Sequence, residues 1–162
     1  MKKISIVASL LLGLTFSTSA QSVANNAIGL RLGDNDGFGG EISYQRKLDT
    51  NNRLELDLGW RNSNDVDAIK LVGLYQWVMN IDGGFNWFAG IGAGVGTWKL
   101  DNRFNDNNGV YGLVAGDIGI EYDFDIPIQL SLDFRPEIYF NSDDFRESNF
   151  GPDIALGIRY QF

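Results

Sequence analysis

The sequence predicts an all-β fold in which eight antiparallel strands close into one up-and-down barrel. Apolar and polar residues alternate with a period of two over most of the chain after residue 20, and clusters of Asn, Asp and Gly interrupt this alternation. The composition agrees, because 20 glycines and 13% aromatic residues against 3 prolines suit close-packed strands joined by turns. No stretch after residue 20 keeps a helical period for long.

The N-terminal 20 residues predict a cleaved export signal. A basic start is followed by an apolar stretch at 4–16 and by small residues at 18–20 that form a cleavage site. A membrane anchor is the alternative, but the apolar run of 13 residues is shorter than the roughly 20 that a spanning helix needs. We therefore expect a signal peptide at 1–20 and one barrel domain at 21–162.

The strands follow from the alternation, taken in chain order. Residues 54–61, 128–140 and 153–162 alternate strictly, with Leu, Ile and aromatic residues on one face and small or charged residues on the other. Five further segments alternate less strictly: 26–34, 38–48, 66–79, 85–99 and 110–124. Together they give eight strands.

Turn-forming residues separate the strands. Asn and Gly tolerate positive φ and Asp caps turns, so their clusters predict the connections. These are 34–37, 49–52, 62–65, 80–84, 100–109, 125–126 and 141–149. If the N-terminus lies in the periplasm, the first, third, fifth and seventh connections face outward. We expect the fifth, at 100–109, and the seventh, at 141–149, to be the longest loops, which matches the long outer loops of bacterial transmembrane barrels.

The alternation does not itself say which face of the sheet points outward. A soluble barrel would place the apolar face inside, but that face carries large residues almost without interruption, and an eight-stranded interior has limited room. The other face is small or charged, with alternate glycines along one strand at Gly90, Gly92, Gly94 and Gly96. This distribution favours a transmembrane barrel with its apolar face toward lipid.

Aromatic residues support the same orientation. With alternating strand directions, one set falls near the periplasmic rim: Trp77, Trp87, Tyr122, Phe124, Tyr160 and Phe162. Trp60 and Phe140 fall near the outer rim. Aromatic girdles of this kind form at both interfaces of a membrane barrel, although aromatic residues also favour sheets in general.

The ending Gly157-Ile158-Arg159-Tyr160-Gln161-Phe162 matches the Gly-x-x-aromatic-x-aromatic signal of outer-membrane proteins. The segments 87–94 and 132–136 are similar to strands of small barrels of the same kind. The chain thus resembles the OmpA-like and OmpX-like family of outer-membrane β-barrels. The resemblance implies a location in the outer membrane and recognition of Gly157, Tyr160 and Phe162 by the barrel-assembly machinery.

Charged residues of the inward parity predict a network in the lumen. Three of them, Asp133, Arg135 and Glu137, share one face of a single strand at i, i+2 and i+4. The complete predicted network is Arg31, Glu41, Glu55, Asp57, Arg61, Lys70, Asp117, Glu121, Asp133, Arg135, Glu137 and Arg159. These charges could line a path for ions, or they could pair and plug the lumen. We favour the plug, because eight strands leave an interior that side chains can fill and unpaired buried charges are costly.

Several functions are disfavoured by what the sequence lacks. It has no histidine, so a Ser-His or Asp-His catalytic arrangement cannot form, and we expect no enzyme activity. It has no cysteine, which excludes a lipoprotein anchor and disulfides. The acidic turns lack the spacing of calcium loops, so we expect no metal and no cofactor, and the net charge of −8 argues against nucleic acid.

The sequence therefore predicts an integral outer-membrane protein with a structural or surface-interaction role. We expect a monomer whose partners are outer-membrane lipid, lipopolysaccharide and, during biogenesis, the barrel-assembly machinery. A narrow channel or carrier for small solutes is the first alternative. A soluble periplasmic barrel that binds an apolar ligand is the second.

Overall fold

A computed structural model of the chain describes residues 23–33, 39–62, 66–102, 105–141 and 148–162. Each strand is antiparallel to its neighbours, and the first strand pairs with the last, so the sheet is a closed barrel. The number, order and direction of the predicted strands are confirmed. The strands are β1 (Asn26–Leu32), β2 (Gly40–Lys47), β3 (Asn52–Asn62), β4 (Val66–Asp82), β5 (Phe85–Asn102), β6 (Asn105–Asp123), β7 (Ile128–Phe140) and β8 (Phe150–Gln161).

Some of the predicted segments fall outside the described residues. These are the signal peptide at 1–20, the first connection at 34–37 and most of the third and seventh connections. Among the residues that are described, no helix is long and apolar enough to cross a membrane.

The orientation of the two faces is that predicted for a transmembrane barrel. Along β7, Ser131, Asp133 and Arg135 are buried, whereas Leu132 and Phe134 between them are exposed. The same alternation runs through β8, where Ile154 and the other outward residues are apolar. The polar residues thus face the lumen and the large apolar residues face outward, as expected for a barrel surrounded by lipid.

Aromatic side chains collect at the end of the barrel where β1 begins and β8 ends, which we call the end of the termini. The rings of Tyr75 and Trp77 lie with centroids 5.0 Å apart, and those of Phe85 and Tyr122 lie 4.5 Å apart. The backbones of Asn26 and Phe162 pair at this same end through hydrogen bonds of 2.9 and 3.0 Å. The predicted girdle is therefore present, and Trp60 and Phe140 lie exposed toward the opposite end.

The prediction of a long fifth connection at 100–109 is wrong. Strand β5 continues to Asn102 and β6 begins at Asn105, so most of the Asn- and Asp-rich segment is paired sheet. The predicted turn at 80–84 likewise shortens to Gly83 and Gly84, where Gly83 has a φ of +52° that suits a tight hairpin turn. Turn-forming side chains do not end a strand when the partner strand continues to supply main-chain hydrogen bonds.

As a result the strands are very unequal in length. β4, β5 and β6 have 17, 18 and 19 residues, whereas β1 and β2 have 7 and 8. The tall side of the barrel is formed by the three longest strands.

The interior is also less uniformly polar than the sequence predicted. The long strands turn apolar and aromatic side chains inward, and with one residue of β7 these form a buried cluster: Ala68, Val72, Leu74, Trp98, Tyr111, Leu113, Ala115 and Tyr139. Both faces of β4 and β6 carry apolar residues, which explains why their alternation was weaker. The cluster packs the lumen beside the long strands.

Inward glycines provide space for these rings. A Cβ atom added to Gly96 would collide with the ring of Tyr111, and one added to Gly119 would lie 2.5 Å from the ring of Phe88. Because these glycines on β5 and β6 have no side chain, large rings from the neighbouring strands can fill the narrow interior.

Candidate functional site

The structure places nearly all of the predicted network residues inside the barrel. Eleven of them are buried, and Arg61, near the end opposite the termini, is half-buried. Arg61 makes no ion pair or hydrogen bond with any residue that the structure describes. The buried members are Arg31, Glu41, Glu55, Asp57, Lys70, Asp117, Glu121, Asp133, Arg135, Glu137 and Arg159.

Arg31 connects four strands across the line where the barrel closes. Its Nη1 atom lies 2.5 Å from Oδ2 of Asp153 on β8 and 3.1 Å from Oε2 of Glu41 on β2. Its Nε atom donates to both carboxylate oxygens of Asp133 on β7, at 3.0 and 3.2 Å. A single guanidinium on β1 therefore binds carboxylates from both of its neighbouring strands and from β7.

Glu41 is the carboxylate shared by three cations. Its oxygens lie 3.1 Å from Nη1 of Arg31, 3.1 Å from Nζ of Lys70 and 2.5 Å from Nη2 of Arg135. Arg135 also binds Asp57 at 2.7 Å and Glu137 at 3.0 Å, and Lys70 binds Glu137 at 3.0 Å. Charge-assisted hydrogen bonds of this kind are short and strong, so the centre of the lumen is one connected network.

A second group lies nearer the termini. Arg159 on β8 binds Glu55 at 3.0 Å and donates to the hydroxyls of Ser43 and Ser131 at 2.9 and 2.8 Å. Arg53 on β3 binds Glu121 on β6 at 2.7 Å and its Nε donates to Gln76 at 2.6 Å. Both arginines bridge strands that are not neighbours in the sheet.

Two charged members of the network were missed by sequence reasoning. Arg53 is fully buried, but it lies between the predicted turn, which ends at residue 52, and the strict alternation, which begins at residue 54, so the sequence assigned it to neither. Asp153 is buried and binds Arg31, although the sequence showed it only on the polar face of the last segment. The signal that could have identified it is its spacing from Arg159, because residues six positions apart on a strand lie on the same face.

The buried carboxylates outnumber the buried cations. Arg31, Arg53, Lys70, Arg135 and Arg159 are the buried cations, against Glu41, Glu55, Asp57, Asp117, Glu121, Asp133, Glu137 and Asp153. This surplus leaves some carboxylate oxygens without a donor. One oxygen of Asp57 and one of Asp117 are buried and have no hydrogen-bond partner among the described residues. The described acidic residues form no group that could hold a metal ion.

The central residues of the charged layer have no contact with solvent. Lys70, Arg135 and Glu137 are each 0% exposed. Such packing fits the small interior of an eight-stranded barrel. Chemically, the arrangement can hold strands together and exclude solutes.

The predicted assembly-signal residues lie at the end of the last strand. Gly157 faces the lumen, where an added Cβ would collide with the hydroxyl oxygen of Ser131 and lie 2.6 Å from Nη1 of Arg159. Tyr160 and Phe162 face outward, with 51% and 60% of their surfaces exposed. The two rings lie with centroids 6.2 Å apart.

Comparison with known proteins identifies the fold. No family model matches the chain, and no curated protein matches it in sequence. Among solved structures, the N-terminal β-barrel domain of Pseudomonas aeruginosa OprF is similar with a TM-score of 0.65 at 11% identity, over 85% of this chain and 98% of that one. Outer membrane protein H (OprH) of P. aeruginosa is similar with a TM-score of 0.64 at 16% identity, over 86% and 100%.

Neisserial surface protein A is a third similar structure, with a TM-score of 0.60 at 10% identity over 85% of this chain and 94% of that one. Identities this low carry the fold, and function does not follow from fold alone. The chain has the closed eight-stranded fold of small outer-membrane β-barrels, the fold that the resemblance to OmpA-like and OmpX-like proteins implied.

Proposed function

We propose that the protein is an integral outer-membrane β-barrel with a closed, salt-bridged lumen and a structural or surface-interaction role. The observation that carries this proposal is the inside-out distribution of side chains. Buried positions hold ion pairs such as Arg135 with Glu41, whereas outward positions such as Ile91 and Leu156 are apolar and 63% exposed. This distribution is stable only when lipid surrounds the barrel.

A catalytic role is not part of the proposal. The chain contains no histidine, and its central carboxylates are engaged by arginine and lysine side chains. A carboxylate held in this way is a poor general base. The same contacts stabilise the closed barrel, which is the use that the geometry supports.

The proposal includes the route to the membrane and the partners there. The N-terminal 20 residues would direct export and be removed, and the C-terminal Gly157, Tyr160 and Phe162 would be recognised by the barrel-assembly machinery. In the membrane the protein would be a monomer in contact with phospholipid and lipopolysaccharide.

Membrane fractionation of expressing cells tests the location. We expect the protein in the outer-membrane fraction, resistant to extraction by carbonate and urea, with a gel mobility that changes on heating because the closed barrel unfolds only when boiled. A soluble periplasmic protein processed in parallel serves as the control. Recovery of most of the protein in the soluble periplasmic fraction would contradict the proposal and favour the soluble barrel that binds an apolar ligand.

A narrow channel or carrier is the second candidate, favoured by the surplus of buried carboxylates and the unpartnered oxygens of Asp57 and Asp117. Liposome swelling separates the two. Proteoliposomes with the closed barrel should swell in small sugars and amino acids no faster than empty liposomes. Rapid swelling that depends on solute size would favour the channel.

A further inference from the structure

The outward surface of β3–β6 contains a groove of about 580 Å³ at the end opposite the chain termini. Residues of three register rows line it. The two outer rows point outward, and the row between them has inward parity and consists of Arg61, Ala68, Trp98 and Gly109. The lower row includes Trp60, Ile69 and Val110, and the upper row is Asn62, Asp67, Lys99 and Asn108. The side chains of the two outer rows are exposed.

The two outer rows mark the boundary of the apolar band. Below the lower row the outward residues of the same strands are apolar, as at Leu58, Leu71 and Val95, whereas the upper row is polar. Trp60 lies at the junction with half of its surface exposed. An aromatic ring at such a boundary is typical of the membrane interface, so the groove lies at the depth of lipid headgroups.

The upper row carries hydrogen-bond donors and one available cation. Lys99 lies opposite Asp67 in the register, yet its ammonium forms no ion pair within the part of the chain that the structure describes. One oxygen of Asp67 instead accepts a hydrogen bond of 2.7 Å from Nδ2 of Asn62. Among the described residues nothing engages the ammonium of Lys99 or the amide of Asn108, its partner in the register, so both can bind an anion.

We propose that this rim groove binds the phosphorylated sugar headgroup of a lipopolysaccharide in the outer leaflet. Lys99 and Asn108 bind phosphate oxygens, and the indole of Trp60 packs against the sugar where the acyl chains begin. The chemistry is complementary, since a phosphate needs a cation and amide donors at the height where an outer-leaflet headgroup lies. The inference rests on the proposed function, because it requires this end of the barrel to face the outside of the outer membrane.

The test measures binding of purified lipid A to the folded protein in neutral detergent micelles. Lys99→Gln should weaken binding about fivefold, which corresponds to the loss of one lysine near an anionic membrane surface. The matched control is Arg46→Gln, which removes an exposed cation from the opposite end of the barrel and should leave binding unchanged. Asp67→Asn should strengthen binding about twofold by removing the carboxylate that repels phosphate.

Three results would overturn the inference. The first is equal loss of binding in Lys99→Gln and Arg46→Gln, and the second is equal affinity for lipid A and its dephosphorylated form. The third is binding of a free sulfated glycan through Lys99 without binding of lipid A, which would identify a soluble ligand instead. Heat-dependent gel mobility checks that each variant is folded.

A further experiment distinguishes rejection of the groove as a binding site from rejection of the proposed function. The chain has no cysteine, so Asn108→Cys introduces one thiol at this end of the barrel. Labelling of that thiol in intact cells by a membrane-impermeant maleimide, together with unchanged lipid A binding in Lys99→Gln, would reject the groove and keep the barrel. Protection of the thiol in intact cells, with labelling once the outer membrane is permeabilised, would show that this end faces the periplasm and would reject the groove. Membrane fractionation decides the proposed function separately, because recovery in the soluble fraction would contradict it whichever end is labelled.

Discussion

The two sides of the barrel are held together in different ways. On β4–β6 the inward side chains are largely apolar and aromatic, with Val72, Leu74 and Leu113 at 0–2% exposure. On β7, β8 and β1–β3 the inward side chains are mostly charged or polar, and the network that joins them is centred on Glu41, Arg31 and Arg135. We call these the apolar side and the charged side.

The division follows strand length. The strands of the apolar side have 17–19 residues and share long ladders of main-chain hydrogen bonds, whereas β1 and β2 on the charged side have 7 and 8. Where main-chain pairing is short, Arg31 binds carboxylates on β2, β7 and β8. The comparison indicates that closure of the barrel depends on side-chain ion pairs, while the long strands depend on pairing and packing.

The largest effect should come from Arg135→Leu. The variant would leave Glu41, Asp57 and Glu137 without this cation in an interior that already has more carboxylates than cations. Breaking a buried ion pair from one side typically costs about 3–5 kcal/mol. We expect a loss of that size in the free energy of unfolding, measured by urea titration of the protein in lipid vesicles.

Two further variants control this prediction. Arg61→Leu removes a half-buried cation of the same parity that has no described partner, and it should change stability by about 0.5 kcal/mol or less. Adding Asp57→Leu to Arg135→Leu should recover part of the loss, because a buried charge is then removed with its partner. Equal stability of all three variants and the parent would mean that the charged side is solvated.

Leu113→Ala probes the apolar side and should cost about 2–4 kcal/mol, because it leaves a cavity in a packed cluster. The lipid-facing neighbour provides the matched control. Val114→Ala should cost less than about 1 kcal/mol, since lipid chains can fill the space that a lost side chain leaves on the outside. If the two substitutions cost the same, the apolar cluster does not contribute to packing as the comparison requires.

Glu41→Gln sharpens the comparison within the charged side. Although Glu41 binds three cations, its loss relieves the carboxylate surplus, and an amide oxygen can still accept hydrogen bonds. We expect a cost of about 1–3 kcal/mol, smaller than that of Arg135→Leu. If Glu41→Gln lowers the free energy of unfolding more than Arg135→Leu does in the same urea titration, the surplus carboxylates do not destabilise the barrel. Asp82→Asn, on an exposed residue near the termini, is the neutral control.

The smallest effect on stability should come from Phe162→Ala. The Phe162 side chain is 60% exposed, and the main-chain hydrogen bonds to Asn26 remain in the variant, so unfolding should shift by about 0.5 kcal/mol or less. Assembly should nevertheless slow in a reconstituted assay with the barrel-assembly machinery, because the terminal aromatic is part of the proposed signal. An unchanged assembly rate would remove Phe162 from that signal.

The sequence was sufficient for the fold because a transmembrane barrel has one strong rule, the alternation between lipid and lumen. In β7, where outward leucines alternate with Ser131, Asp133 and Arg135, this rule assigned every side chain to the correct face. Trp98 and Tyr111 share the parity of the inward residues on their strands and lie inside. The sequence did not identify them as core residues, because the room for their rings comes from inward glycines that include Gly96 on the neighbouring strand.

The ion pairs within the charged network could not be predicted from the sequence, for a related reason. Which carboxylate binds Arg31 depends on how neighbouring strands are staggered, and the stagger is a property of the closed sheet. The pattern placed Arg31 and Asp133 in the lumen, but their direct contact follows from the register of β1, β8 and β7. The length of β5 and β6 could not be predicted for the same reason. Asn102 and Asn105 are residue types that favour turns, but in the closed sheet they pair with each other as part of two strands.

The central claim is that paired charges and packed rings close the lumen, and single-channel recording tests it most directly. Purified protein in planar lipid bilayers, at high salt and moderate voltage, should give no steady conductance steps. The Arg135→Leu variant, with its network broken, should at most give brief, irregular events. Stable conductance steps of uniform size from the parent protein would contradict the account and establish the channel instead.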